Sequence, residues 1–69
     1  MVKIYRGKNI TLSEDLLEKY KAVTGTDVLT HFEEFCETCQ RSLPADVSDE
    51  DFSDHLRTML LEEIQLLEE

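Results

Sequence analysis

The chain has 69 residues, with 16 Asp+Glu against seven Lys+Arg and a formal net charge of −9. That length bounds it to one small domain, 1–69, whose core is thin because a chain of this size buries only ~60% of the surface it exposes when unfolded. Two cysteines exclude a disulfide framework, and an apolar run no longer than Met59–Leu61 excludes a spanning helix, which needs ~20 residues.

The charge is unevenly spread. Residues 1–25 hold five basic and three acidic residues, and residues 26–69 hold two basic and thirteen acidic ones. A mildly basic head therefore carries a strongly acidic body, which repels nucleic acid and anionic membranes and attracts basic protein surfaces. No basic segment precedes an apolar run at the N-terminus, so no export signal is expected and the thiols are expected to be reduced, in the cytoplasm. So small a chain gains stability from helix packing or from a partner subunit, and a homodimer is expected.

Val2–Leu12 (VKIYRGKNITL) alternates apolar and polar residues on both sides of Gly7, which predicts a short N-terminal strand or β-hairpin over 2–12. A three-residue loop Gly7-Lys8-Asn9 would set Ile4 opposite Leu12 on the apolar face. Ser13 is placed to cap a helix over 14–24, with Glu14 and Asp15 at its positive end, Leu16, Leu17, Tyr20 and Val23 at helical spacing, and Gly25 as its C-cap.

A second helix is expected over 28–42. It starts between Asp27 and Thr30, where Thr30–Glu33 has capping-box spacing, and its apolar face carries Phe32, Phe35, Cys36, Cys39 and Leu43. Pro44 marks a loop over 43–48. Ser48 then caps a third helix over 49–68, whose first turn holds Asp49, Glu50 and Asp51 and whose apolar stripe is Phe52, Leu56, Met59, Leu60, Ile64 and Leu67. The fold class is thus mainly α, a strand or hairpin followed by a three-helix bundle. Its core is expected to hold Leu16, Tyr20, Phe32, Phe35, Cys36, Cys39, Phe52, Leu56, Leu60 and Ile64.

Chemistry is sparse. Cys36-x-x-Cys39 is the one motif that suggests a metal or redox site, but zinc takes four ligands and His31 lies ~140° around the helix from Cys36. A redox pair places its first cysteine at a helix N-terminus, whereas this pair is mid-helix on the face of Phe32 and Phe35. The thiols are therefore expected to be core residues, with no metal and no cofactor. Catalysis needs convergent nucleophile, base and orienting groups, and the two histidines are too few and too separate to supply them, so no enzyme is expected.

What remains is recognition. Glu33, Glu34 and Glu37 on the second helix, with Asp49, Glu50, Asp51 and Asp54 on the third, would attract a basic protein surface. Leu61 and Leu66 fall off the core stripe and would add apolar contact. The expected function is a small acidic regulator or inhibitor acting through protein–protein interaction.

The order strand, helix, glycine turn, helix in Lys8–Cys39 (KNITLSEDLLEKYKAVTGTDVLTHFEEFCETC) resembles the ribbon-helix-helix repressors. That resemblance implies a dimer in which the strand pairs with its twin and sets polar side chains into the major groove, here Asn9 and Thr11 with Lys8 beside them. Arg6–Leu16 (RGKNITLSEDL) is similar to the start of swapped-hairpin transcription regulators, although the sequence after Val28-Leu29 turns helical where their strand returns. Phosphate contacts dominate affinity for DNA, so a charge of −9 ranks a dimeric DNA-binding regulator second.

Overall fold

The chain reverses at Arg6-Gly7. In the structure, a computed structural model that describes residues 1–68, both residues hold positive φ, 48° and 82°. That combination makes a two-residue turn whose twist suits the strands beside it. β1 (Val2–Tyr5) and β2 (Lys8–Thr11) pair antiparallel as Val2↔Thr11, Lys3↔Ile10, Ile4↔Asn9 and Tyr5↔Lys8.

This register corrects the expected loop Gly7-Lys8-Asn9 and the pairing of Ile4 with Leu12. The observed pairing is offset from the expected one by three residues, and an odd offset exchanges the faces of a strand. Tyr5 is buried and Ile4 is 71% exposed. The physical reason is the company Tyr5 finds inside: its ring lies edge-on to Phe32 at 6.5 Å and tilted to Phe52 at 6.1 Å. Aromatic pairs of this kind contribute about 0.5–1.5 kcal/mol each beyond the area they bury.

Three helices follow, α1 (Glu14–Thr24), α2 (Phe32–Arg41) and α3 (Asp49–Glu68), so the architecture is a two-stranded hairpin and three helices. Ser13 occupies the N-cap of α1 in extended geometry, yet its hydroxyl makes no capping bond, contrary to expectation. Its carbonyl starts the helix by accepting the Leu17 N–H at 3.1 Å. Gly25 closes α1 at φ 76°, a left-handed conformation that suits glycine, and donates its N–H to the Lys21 carbonyl at 2.8 Å.

α2 begins at Phe32, four residues later than expected. Residues 28–31 form turns instead. The Asp27 carboxylate accepts the Leu29 N–H at 3.0 Å, an Asx turn that competes with helix and drops Val28 into the core. The capping box at Thr30–Glu33 does not form, because His31 holds the N-cap position and makes no side-chain cap bond. α3 starts as expected, with the Ser48 hydroxyl accepting the Asp51 N–H at 3.1 Å.

The core joins Leu16 and Tyr20 of α1, Phe32, Cys36 and Cys39 of α2, and Phe52, Leu56, Leu60 and Ile64 of α3 to Tyr5, Ile10 and Leu12 of the hairpin and to Val28. Phe35 sits at the margin, half-buried, with its ring edge-on to Tyr20 at 5.6 Å. Ile64 is the last residue of α3 in the core. Leu67, expected on the buried stripe, is 57% exposed.

Candidate partner-binding surface

The carboxylates of α2 face the hairpin across a groove. Glu33, Glu34 and Glu37 are exposed, and with Leu29–Phe32 they line a cavity of about 500 Å3 whose other wall is Lys3, Ile4, Tyr5 and Arg6. Each basic side chain lies against a ring: Lys3 Nζ is 5.2 Å from the centroid of Phe32, and the Arg6 guanidinium is 5.5 Å from that of Tyr5. Such cation–π contacts hold the cations on the strand side of the groove. His31, exposed at the start of α2, pairs with Glu34 at 3.5 Å and turns away from the cysteines.

The acidic first turn of α3 divides between fold and surface. The Asp49 carboxylate accepts the Asn9 N–H at 3.0 Å. Ser53, one helical turn on, accepts the Thr11 N–H at 2.9 Å while donating its own proton to the Asp49 carbonyl at 2.9 Å. Asp49 therefore belongs to the junction between β2 and α3 rather than to an open acidic patch. Asp54 pairs with Arg57 on the next turn. Glu50 and Asp51 remain exposed.

That junction also collects the residues singled out for DNA. Asn9 and Thr11 line a depression of about 460 Å3 with Asp49, Glu50, Ser53 and Arg57, so two carboxylates flank the side chains that would meet bases. Lys8 points elsewhere: its ammonium donates to the Val47 carbonyl at 2.8 Å and ties the hairpin to the loop before α3. β2 is paired with β1 within the chain, and its other edge is occupied by Asp49 and Ser53. A twin strand of the ribbon-helix-helix kind has no free edge there.

The exposed leucines are not neighbours. Leu61 is 45% exposed and Leu66 73%, but five residues separate them, a rotation of about 140° on the helix. Leu61 belongs to an outward stripe of α3 that recurs every three or four residues, Asp51, Asp54, Thr58, Leu61 and Gln65, all exposed. The acidic half of this stripe leads into an apolar position, with Glu50 and Glu62 at its flanks.

Cys36 and Cys39 are unpaired thiols with no solvent exposure. Burial pushes Cys36 up to about 12, helped by Cys39 and Glu33, and pushes Cys39 up to about 11. The Cys39 thiol makes a 3.9 Å contact to the Phe52 carbonyl. One further pair, between residues 43 apart, has no local signal along the chain. Tyr20 donates its hydroxyl to Glu63 at 2.8 Å, and burial, with Glu63 second, pushes this phenol up to about 12. Among the described residues no group of three or more His, Cys, Asp and Glu is placed to hold a metal ion, and no helix is long and apolar enough to cross a membrane.

No protein-family model matches the chain, and neither a curated protein nor a solved structure is significantly similar to it.

Proposed function

We propose that the chain is a small non-enzymatic regulatory or inhibitory protein of the cytoplasm that acts by binding another protein through the outward face of α3. The observation that supports this most is the stripe Asp51, Asp54, Thr58, Leu61 and Gln65, continuous and exposed over four turns of one helix. Carboxylates at one end steer and orient a basic partner, and the leucine further along supplies the apolar contact that charge alone does not. The formal charge of −9 extends the same attraction over the whole surface. Glu33, Glu34 and Glu37 form a second acidic surface on α2. A homodimer belongs to this reading, because a core of this size is helped by a partner subunit.

The test compares affinity capture on the immobilised chain with capture on Asp51→Lys/Asp54→Lys and on Leu61→Asp, each checked for helicity. A basic protein retained by the wild type and released by both variants supports the reading. Retention unchanged by either variant, or retention of duplex DNA in its place, rejects it.

A further inference from the structure

α2 is anchored by few side chains, and two of them are thiols. It is the shortest of the three helices, with 10 residues, and the side chains it buries are Phe32, Cys36 and Cys39. A helix of that length is marginal in water without tertiary packing, so these anchors keep it formed. Cys39 faces α3, its thiol 3.9 Å from the Phe52 carbonyl, and neither cysteine has any solvent exposure. The rest of the fold closes without α2. Both α1 and β2 pack on α3, and the Asn9 and Thr11 N–H groups are bonded to α3 side chains.

Three residues apart on a helix, Cys36 and Cys39 share a face, and their Cβ atoms stand ~5–6 Å apart. A disulfide holds its Cβ atoms ~3.5–4.5 Å apart. The chain reaches that separation only by distorting the turn between the two residues, in the middle of α2. In the folded helix the thiols are inert. Burial pushes them up to about 12 and about 11, and the thiolate is the species that attacks a disulfide. Exchange therefore runs through a form in which α2 has opened.

We propose that Cys36 and Cys39 are a redox latch on α2: as thiols they hold the helix in the core, and as a disulfide they release it. The oxidant is a low-molecular-weight disulfide. In the opened segment one cysteine thiolate attacks a sulfur of that disulfide, forming a mixed disulfide and displacing a small thiolate, which takes up the proton the cysteine lost. The second cysteine thiolate then attacks the mixed disulfide at the protein sulfur, closing the 36–39 bond and releasing the second small thiolate, protonated in the same way. Two protein thiols are oxidised and one small disulfide is reduced to two thiols. The product fits the opened segment better than the helix, so it shifts the population toward the opened form. Strained disulfides are the readily reduced ones, so excess thiol restores the helix. The mid-helix placement that argues against a catalytic redox pair is what makes this pair a switch. The latch is independent of what the outward face of α3 binds.

Incubating the full chain with glutathione disulfide tests this, with intact mass and amide exchange as readouts. The expected product is two hydrogens lighter, monomeric and free of glutathione. Its α2 amides lose protection roughly tenfold or more, while the Asn9 and Thr11 amides keep theirs, and dithiothreitol reverses the change. Cys36→Ala/Cys39→Ala is expected to show no response to glutathione disulfide. An oxidised chain whose α2 amides stay as protected as in the reduced one overturns the latch, because the bond then fits the helix. Loss of protection at Asn9 and Thr11 together with α2 overturns it as well, because the whole fold then opens. A chain that keeps both thiols until urea unfolds it entirely, or that stops at a glutathione adduct or an interchain disulfide, leaves the cysteines as packing alone.

Discussion

Asp49 and Asn9, forty residues apart in the chain, are joined by a 3.0 Å bond from the Asn9 N–H to the Asp49 carboxylate. Four residues along α3, Ser53 does the same for Thr11, two residues along β2. The spacings agree, since four helical residues rise ~6 Å and two strand residues ~6.6 Å. α3 thus stands where a neighbouring strand would, and its side chains replace that strand's carbonyls.

Ser53→Ala leaves the Thr11 N–H without its acceptor at a part-buried bond and is expected to cost about 1 kcal/mol. Asp49→Ala, at an exposed bond, costs about 0.5–1 kcal/mol. Urea unfolding gives both numbers, and amide exchange at Asn9 and Thr11 localises them. Unchanged exchange at both amides in the two variants would show that α3 does not close this edge.

The turn offers a cleaner test of backbone conformation. An added Cβ at Gly7 would meet nothing within 4 Å, so Gly7→Ala adds no clash and reports the cost of φ 82° alone. A loss of about 1 kcal/mol is expected. Arg6→Asn, which tolerates the φ of 48° better and creates an Asn-Gly turn but gives up the guanidinium contact with the Tyr5 ring, is expected to change stability by less than about 0.5 kcal/mol. Thermal unfolding separates the two, and equal losses in both would speak against the two-residue turn.

The helices were legible because their signals are local. Apolar residues three and four apart define α1 and α3, and Gly25 and Ser48 terminate or start them by mechanisms confined to a few residues. The hairpin was legible as an element but not in register. Ile4 and Tyr5 are adjacent and both apolar, Gly7 fits either loop length, and arginine is an unusual occupant of φ 48°. The contest was decided by Phe32 and Phe52, far along the chain. The start of α2 was ambiguous between Asp27 and Thr30, and the Asx turn onto Leu29 resolved it in favour of neither. Asp49 read as one carboxylate in an acidic run, since nothing near it in sequence announces a strand amide. The exposure of Leu61 and Leu66, by contrast, followed from their positions off the stripe.

The buried acids set the response to alkali. Cys36 and Cys39 rise from 9.0 to about 12 and about 11, and Tyr20 from 10.0 to about 12. A group whose pKa is raised on folding holds more protons in the native state once pH exceeds its unfolded value, so stability falls with rising pH there. Stability is therefore expected to be level from neutrality to about pH 8 and to fall between about 9 and 12. Cys36→Ala/Cys39→Ala lowers stability at neutral pH by about 1–2 kcal/mol per sulfur lost from the core. It also flattens the onset of the alkaline fall, leaving the Tyr20 part. Urea melts from pH 7 to 11 test this, and a double variant as steep as wild type above pH 9 would show that the thiols are not its source. Chelator is expected to leave the wild-type melting temperature unchanged, because both thiols are spent on packing.

Lys8 separates the protein-binding reading from the DNA-binding one. Its ammonium is bonded to the Val47 carbonyl at 2.8 Å, a tie between hairpin and loop that a phosphate contact would have to break. Asn9 and Thr11 share their depression with Asp49 and Glu50, whose charges oppose an approaching backbone. Binding to DNA through a handful of phosphate contacts loses orders of magnitude between about 50 and 200 mM salt. Wild-type chain titrated with duplex DNA is accordingly expected to show no tight binding at either concentration. Lys8→Glu is expected to change stability instead, by about 1 kcal/mol through the lost bond to Val47. Tight, salt-dependent binding abolished by Lys8→Glu would reverse the ranking, and would require β2 to present Lys8, Asn9 and Thr11 free of the contacts that now hold them to α3 and its preceding loop.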